Sequence, residues 1–124
     1  MPISVRHHGD VRILDLEGDF TLGRPLVQPL DLKGEHAQDL AGHIGALLDA
    51  GHNSIILNLA RLRFIDSSGL GELIACRKRT LAKGGDIKLL NPGGQVHQVL
   101  VLTLLADVFD VYDDETNAVA AFAK

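Results

Sequence analysis

The side chains best suited to chemistry in this chain lie in one short run near its middle: Asp66, Ser67, Ser68, Gly69, Leu70 and Gly71. Side-chain oxygens of Asp and Ser accept hydrogen bonds from the unpaired N–H groups of a helix's first turn, so Asp66 and Ser67 are predicted to cap a helix. Glycine costs up to about 1 kcal/mol inside a helix, and a purely structural cap does not need two. On the residues alone a plain capped helix is the favoured interpretation, and the two glycines leave open the alternative that another molecule approaches this helix closely.

The run does not match the common catalytic or nucleotide-binding motifs. No G-x-S-x-G sequence surrounds Ser67, and nothing in the sequence places a general base beside it, so we expect no nucleophilic catalysis and no enzyme. Gly69-x-Gly71 lacks the third glycine and the lysine of phosphate-binding loops. The run therefore gives no signal of an enzyme or of a nucleotide-binding site.

Two further groups of polar residues are candidates for a metal site or a partner-binding site. His36, Asp39 and His43 share a helix face at i, i+3 and i+7, but this spacing is loose for a metal and no cysteine joins them, so we expect no metal and no cofactor. A basic group near the end of the predicted second helix either meets an acidic partner or is a solvated helix end, and the second interpretation is favoured. That group consists of Arg77, Lys78, Arg79 and Lys83.

The composition indicates one globular domain over residues 1–124. Apolar residues make up 46% and charged residues 23% of the chain, which excludes a disordered or fibrous class. A net charge of -4 argues against a nucleic-acid partner held by a basic face. The single cysteine, Cys76, cannot form an internal disulfide, and no apolar run reaches the length of a membrane span. We expect a cytoplasmic protein that does not bind a membrane.

Apolar periodicity and turn residues predict an α/β domain with a mixed sheet. An N-terminal hairpin of strands 3–8 and 11–17 turns at Gly9-Asp10, and a long loop over 18–34 contains Pro25 and Pro29. A helix over 35–50 ends at Gly51, because Gly adopts the conformation that closes a helix. The remaining elements are a strand at 54–59, covered on both faces, a helix at 67–83, a strand at 87–90, a helix at 95–105, a strand at 108–112 and a helix at 115–123. This makes about four helices.

The run from Asp66 to Gly71, after the lead Leu62-x-Phe64-Ile65, resembles the signature of STAS-domain anti-sigma factor antagonists. The similarity continues along the chain in order. Comparable residues fall at Asn58-Leu59, at Gly84-Gly85 before the next strand, and at Val96-x-x-Val99-Leu100 before residues 108–112. The chain is thus identified as a member of this family over nearly all its length.

The resemblance implies a partner-switching protein. In its unphosphorylated form it would bind an anti-sigma factor that is also a serine kinase, and so free the sigma factor; a phosphatase would reset the switch. Ser67 occupies the phosphoacceptor position, with Ser68 the less favoured acceptor. The implied partner-binding residues are Asp66, Ser67, Ser68, Gly69, Leu70, Gly71, Asn58 and Thr21. We expect a monomer or weak dimer, and the alternative function is a STAS scaffold or accessory subunit without phosphorylation.

Three features depart from the family pattern. Thr21 stands where many antagonists carry an acidic residue, which puts a kinase contact there in doubt. The loop over 21–34 is longer than in compact members, and a loop folded back over the domain is favoured over an extra contact surface. Leu104 stands where a glycine often closes the third helix.

Overall fold

The computed structural model describes residues 3–20 and 40–122, which form a mixed five-stranded sheet with five helices. The strands are β1 (Ile3–His8), β2 (Val11–Phe20), β3 (Ser54–Ile65), β4 (Asp86–Leu90) and β5 (Asp110–Tyr112). The helices are α1 (Leu40–Asp49), α2 (Ser67–Ala82), α3 (Gly94–Leu102), α4 (Leu105–Val108) and α5 (Glu115–Ala120). The sheet order is β1-β2-β3-β4-β5, with β1 antiparallel to β2 and every other neighbouring pair parallel. The predicted α/β class, mixed sheet and N-terminal hairpin are confirmed.

Buried side chains lie on both faces of the sheet. Ile55 and Leu57 of β3 belong to a large cluster with residues of α1, α2 and α3, whereas Ile56 packs in a second cluster with Ala118 of α5. Successive side chains of a strand point to opposite faces, so a continuous apolar run is needed where both faces are covered. The predicted central position of β3 is therefore confirmed.

Two strands are longer than predicted. β2 continues to Phe20 instead of ending at residue 17, and the predicted loop start at Gly18 is wrong. Gly18 has φ +90° and lies at a register shift against β3, so here the glycine forms a bulge within the strand. β3 runs on to Ile65, beyond its predicted end at 59, and this extension pairs with β2 after β4 has ended.

The predicted helices differ mainly in the C-terminal half. α2 matches its prediction to within one residue, and α1 ends at Gly51 (φ +89°) as expected, although residues 35–39 lie outside the described residues. The single helix predicted over 95–105 is wrong, because Leu104 has φ +64° and separates α3 from α4. Since α4 extends to Val108, β5 begins at Asp110 instead of residue 108, and the described residues form five helices. Across the described ranges, no helix combines the length and apolar character needed to cross a membrane.

Candidate partner-binding site

Ser67 is the first residue of α2, directly after the turn that follows β3. Asp66 is the N-cap: its backbone is extended (φ -111°, ψ -175°) and its Oδ1 accepts a hydrogen bond of 2.9 Å from the Gly69 N–H. Ser67 and Ser68 are both exposed, whereas Asp66 is half-buried. The predicted cap is confirmed in Asp66 itself, and the Ser67 side chain is left on the surface without a capping role.

The two glycines of the run have different physical causes. A Cβ at Gly69 would overlap the backbone carbonyl of Phe20 and would lie 2.9 Å from Cγ1 of Ile65. Gly69 is buried, so the expectation that an approaching molecule requires this glycine is wrong; the end of β2 requires it. A Cβ at Gly71 would meet no atom within 4 Å, and Gly71 is exposed. Packing in the described structure therefore gives no reason for glycine at position 71.

Gln95, at the start of α3, holds the turn before Ser67 in place, and sequence reasoning missed it. Its Nε2 donates to the Ile65 carbonyl and its Oε1 accepts from the Ile65 N–H, both at 3.0 Å. The Asp66 N–H also donates to the Phe20 carbonyl at 3.4 Å. Because β4 pairs with β3 only as far as Asn58, the Gln95 amide supplies backbone pairing that a neighbouring strand no longer provides. A polar residue at a helix start gave no signal of this role.

The other predicted residues lie in different environments. Leu70 is buried beneath the first turn of α2, so it shapes the turn and offers little side-chain surface. Thr21 lies outside the described residues. Within residues 3–20 and 40–122, the Ser67 hydroxyl has no hydrogen-bonded Asp, Glu or His that would act as a base. The geometry of the described site thus presents a hydroxyl to solvent without activating it.

Asn58 is not brought to Ser67 by any hydrogen bond in the described structure. Its Nδ2 donates to Oδ1 of Asp15 at 2.7 Å, and its Oδ1 accepts from the Ala60 N–H at 3.1 Å. Asp15 in turn accepts from Arg6 at 2.6 and 2.9 Å, and Arg6 also reaches Glu115 of α5 at 3.0 Å. The hydrogen bond from Arg6 holds the pKa of Asp15 below its usual value. Asn58 therefore belongs to a polar network that ties the hairpin to α5.

The remaining candidate groups give no second site in the part of the chain that is described. His36 and Asp39, two of the three candidate metal ligands, lie outside the described residues. Within residues 3–20 and 40–122, no three His, Cys, Asp or Glu side chains are arranged to hold a metal ion. Burial raises the pKa of the Cys76 thiol to about 12, so this cysteine is an unreactive core residue. The Ser67 turn is accordingly the candidate site.

Comparisons with known proteins identify the family of the chain. Residues 26–118 match the model of the STAS domain. The chain is 37% identical over 120 residues to the anti-sigma F factor antagonist of Paenibacillus polymyxa, covering 95% of this chain and 92% of that protein.

Solved structures share the fold. An anti-sigma factor antagonist from Mycobacterium paratuberculosis has a TM-score of 0.73 at 20% identity, covering 99% of this chain and 94% of that one. The unphosphorylated form of the anti-sigma factor antagonist SpoIIAA has a TM-score of 0.72 at 21% identity, covering 98% and 96%. Its phosphorylated form, described as a Bacillus cell fate determinant, has a TM-score of 0.68 at 20% identity, covering 98% and 99%. On the family match and the identity to the Paenibacillus protein, the chain belongs to the STAS domain family, among the relatives of anti-sigma factor antagonists.

Proposed function

We propose that this protein is an anti-sigma factor antagonist whose binding to a serine-kinase anti-sigma factor is controlled by phosphorylation of Ser67. The proposal rests on one observation: the exposed Ser67 side chain takes no part in the contacts that hold the turn together. Asp66 caps α2, Gln95 anchors Ile65, and Gly69 makes the close contact, while the Ser67 hydroxyl is exposed and carries none of these tasks. A side chain with no structural task is free to be modified without unfolding the turn.

The contact surface that we propose centres on the exposed part of the run. Ser67, Ser68 and Gly71 are exposed, and the absence of a side chain at Gly71 lets a partner backbone come close. Asp66 is half-buried, and Gly69 and Leu70 hold the shape of the turn from beneath. We assign Asn58 only a peripheral role, since its amide is engaged with Asp15. We propose Thr21 as a partner contact on the family resemblance alone.

The switch follows from charge at a helix start. A phosphate on Ser67 adds a charge of about -1.5 to -2, and free N–H groups and the positive end of the helix dipole stabilise it there. The fold should therefore survive phosphorylation. The same dianion lies beside the Asp66 carboxylate, so a partner shaped for a neutral hydroxyl meets desolvation and repulsion. Phosphorylation should release the partner while leaving the antagonist folded.

In the proposed transfer, Oγ of Ser67 attacks the γ-phosphorus of ATP and a new O–P bond forms. The bond between that phosphorus and the bridging oxygen breaks, and ADP leaves with the electron pair. The hydroxyl proton passes to a base that the kinase supplies, because no described side chain is positioned as a base on Ser67. A phosphatase reverses the modification by hydrolysing the O–P bond. We assign the antagonist itself no catalytic role and place it, with its partners, in the cytoplasm.

Incubation with ATP and each purified serine-kinase anti-sigma factor of the source organism tests the proposal, with mass spectrometry to locate the phosphate. We expect one phosphate on Ser67, none on the Ser67→Ala variant, and normal phosphorylation of the matched Ser68→Ala control. In a binding assay, Ser67→Asp should lose at least about tenfold in affinity while its far-UV circular dichroism is unchanged. Absence of phosphate with every kinase, or full affinity of Ser67→Asp, contradicts the proposal and favours a scaffold without phosphorylation.

A further inference from the structure

Four apolar side chains are exposed where α3 passes into α4. Val101 is 47% exposed, Leu102 81%, Leu104 68% and Val108 47%. Single exposed apolar residues need no explanation, but four of them within eight positions of the chain are a candidate interaction surface. We call these four residues the α3–α4 apolar patch.

Leu104 is held in a conformation that its side chain disfavours. Its φ of +64° is in the left-handed region, which glycine adopts without strain and leucine does not. Burial does not explain the leucine, because most of its side chain faces solvent. Backbone strain at an exposed residue is typical of functional positions, so the side chain of Leu104 is a candidate for contact with another molecule.

The face of α2 that begins at Ser67 leads towards this patch. Ser67, Gly71, Ile74, Lys78 and Leu81 follow one another at helical spacing and so share one face of α2. Four of the five are exposed, and Ile74 is half-buried. The surface that carries the Ser67 hydroxyl therefore continues along the whole helix.

A shallow apolar depression of about 110 Å³ joins α2 to α4. It is lined by Ile74, Arg77, Lys78, Val108 and Phe109. Small-molecule pockets are larger, at roughly 300–1,000 Å³, so this depression suits a single inserted side chain. Val108 belongs both to the depression and to the α3–α4 apolar patch, so the two share this side chain.

The cations at the rim of the depression differ in their partners. Nε of Arg77 donates to Oδ1 of Asp86 at 3.1 Å, and its guanidinium lies 5.5 Å from the centre of the Phe109 ring. Within residues 3–20 and 40–122, Lys78 makes no ion pair and is exposed. An acidic side chain on a partner would complement Lys78 at the edge of the apolar surface.

We propose that this surface docks an amphipathic helix of the anti-sigma factor, whose apolar side chains cover the α3–α4 apolar patch and whose carboxylate pairs with Lys78. The inference rests on the proposed function and adds a second contact region to it. One side chain of that helix fills the depression beside Val108. Because this region is separate from Ser67 in the chain, it contributes affinity without changing the phosphoacceptor.

Affinity measurements with the purified serine-kinase anti-sigma factor test the surface. Leu104→Gly removes an exposed contact but relieves backbone strain, so it should bind about tenfold more weakly while unfolding at a higher temperature. Lys78→Glu should also bind about tenfold more weakly. The matched charge reversal Lys83→Glu, at the C-cap of α2 and outside the depression, should bind normally. Hydrogen exchange in the complex should show protection over residues 101–108.

The outcomes separate this surface from the proposed function. If Leu104→Gly and Lys78→Glu keep full affinity while Ser67→Asp loses it, the surface is overturned and the proposed function stands. If the unphosphorylated wild-type protein binds no serine-kinase anti-sigma factor, both the proposed function and this docking surface are contradicted. A concentration-dependent dimer in sedimentation equilibrium that Leu104→Gly abolishes would assign the patch to a second copy of the chain, and also overturns the proposal.

Discussion

The turn at Ser67 precedes α2 and the turn at Leu104 follows α3, and the two are built in opposite ways. At the first, Asp66 and Gln95 satisfy backbone groups, and Gly69 fits against Phe20. At the second, a leucine occupies a left-handed conformation among exposed apolar side chains. Internal contacts explain Asp66, Gln95 and Gly69 at the first turn, whereas the second turn has exposed apolar surface that the described contacts leave unexplained.

Under the proposed function, this difference separates a phosphorylation switch from a contact surface. A rigid support would keep a modified Ser67 in the same place before and after its charge changes. The exposed apolar turn at Leu104 would undergo no charge change and would contribute only to docking. The experiments below test each half of this comparison, in order of expected effect.

Gly69→Ala should have the largest effect, because the new Cβ overlaps the Phe20 carbonyl and lies 2.9 Å from Ile65 Cγ1. We expect the free energy of unfolding in urea to fall by about 2 kcal/mol. The matched control is Gly71→Ala, whose Cβ meets no atom within 4 Å and which should leave stability unchanged or raise it by up to about 1 kcal/mol. Equal effects of the two substitutions would contradict the assigned difference between the glycines.

Gln95→Ala should lower the free energy of unfolding by about 1–2 kcal/mol, since the backbone N–H and carbonyl of the buried Ile65 lose their partner. Chemical denaturation measures the change, and faster hydrogen exchange at Ile65 should accompany it. Gln98, exposed on the same helix, provides the control. A loss of stability in Gln98→Ala as large as that in Gln95→Ala would show that the Gln95 amide does not anchor the turn.

Leu104→Gly should raise the free energy of unfolding by about 0.5–1 kcal/mol, because relief of the left-handed strain exceeds the entropic cost of a glycine. Urea titration measures this gain. Leu102→Gly is the control: Leu102 is also exposed but ends α3 in the helical region, so glycine there should lower stability by about 1 kcal/mol. If both glycine variants lose stability, the Leu104 turn is not strained and the contrast between the turns weakens.

Acid titration should give the smallest effect and tests a region away from both turns. The folded-state pKa of Asp15 is lowered by Arg6, so its contribution to stability is present above the ordinary pKa of an aspartate and is lost as the pH falls below it. From about pH 5 to pH 3, wild type should lose more stability than Asp15→Asn. Asp10→Asn, at the exposed hairpin turn, should follow the wild-type curve. If Asp15→Asn loses as much stability in acid as the wild type does, a carboxyl other than Asp15 causes the loss.

Much of the fold could be predicted because its signals are local. The cap at Asp66 involves an N–H three residues away, and the start of α2 was placed correctly from that pattern. The alternation of Ile55, Ile56 and Leu57 between the two cores likewise follows from strand geometry. In contrast, the helix predicted over 95–105 was wrong because leucines continue through Leu104 and give no local signal of a break.

The candidate site could be located from the sequence but not explained by it. From the sequence, Gly69 is explained by the close approach of another molecule. In the structure, the contact that requires a glycine comes from Phe20, which is far away in the chain. Gln95 lies 30 positions from Ile65, and no pattern in the sequence relates their polar groups. The family resemblance places Asn58 near the serine, whereas in the structure its side-chain amide donates a hydrogen bond to Asp15.

The sequence by itself therefore determined the α/β class, the N-terminal hairpin, the capped run that contains Ser67, and the family. Only the tertiary structure decided why Gly69 is a glycine, which side chain anchors Ile65, and that Ile74 and Lys78 of α2 line one depression with Val108. The physical reason is the distance along the chain over which each effect acts. Periodicity and capping involve only a few residues of one segment. Steric fit and hydrogen-bond partners depend on segments that only folding brings together.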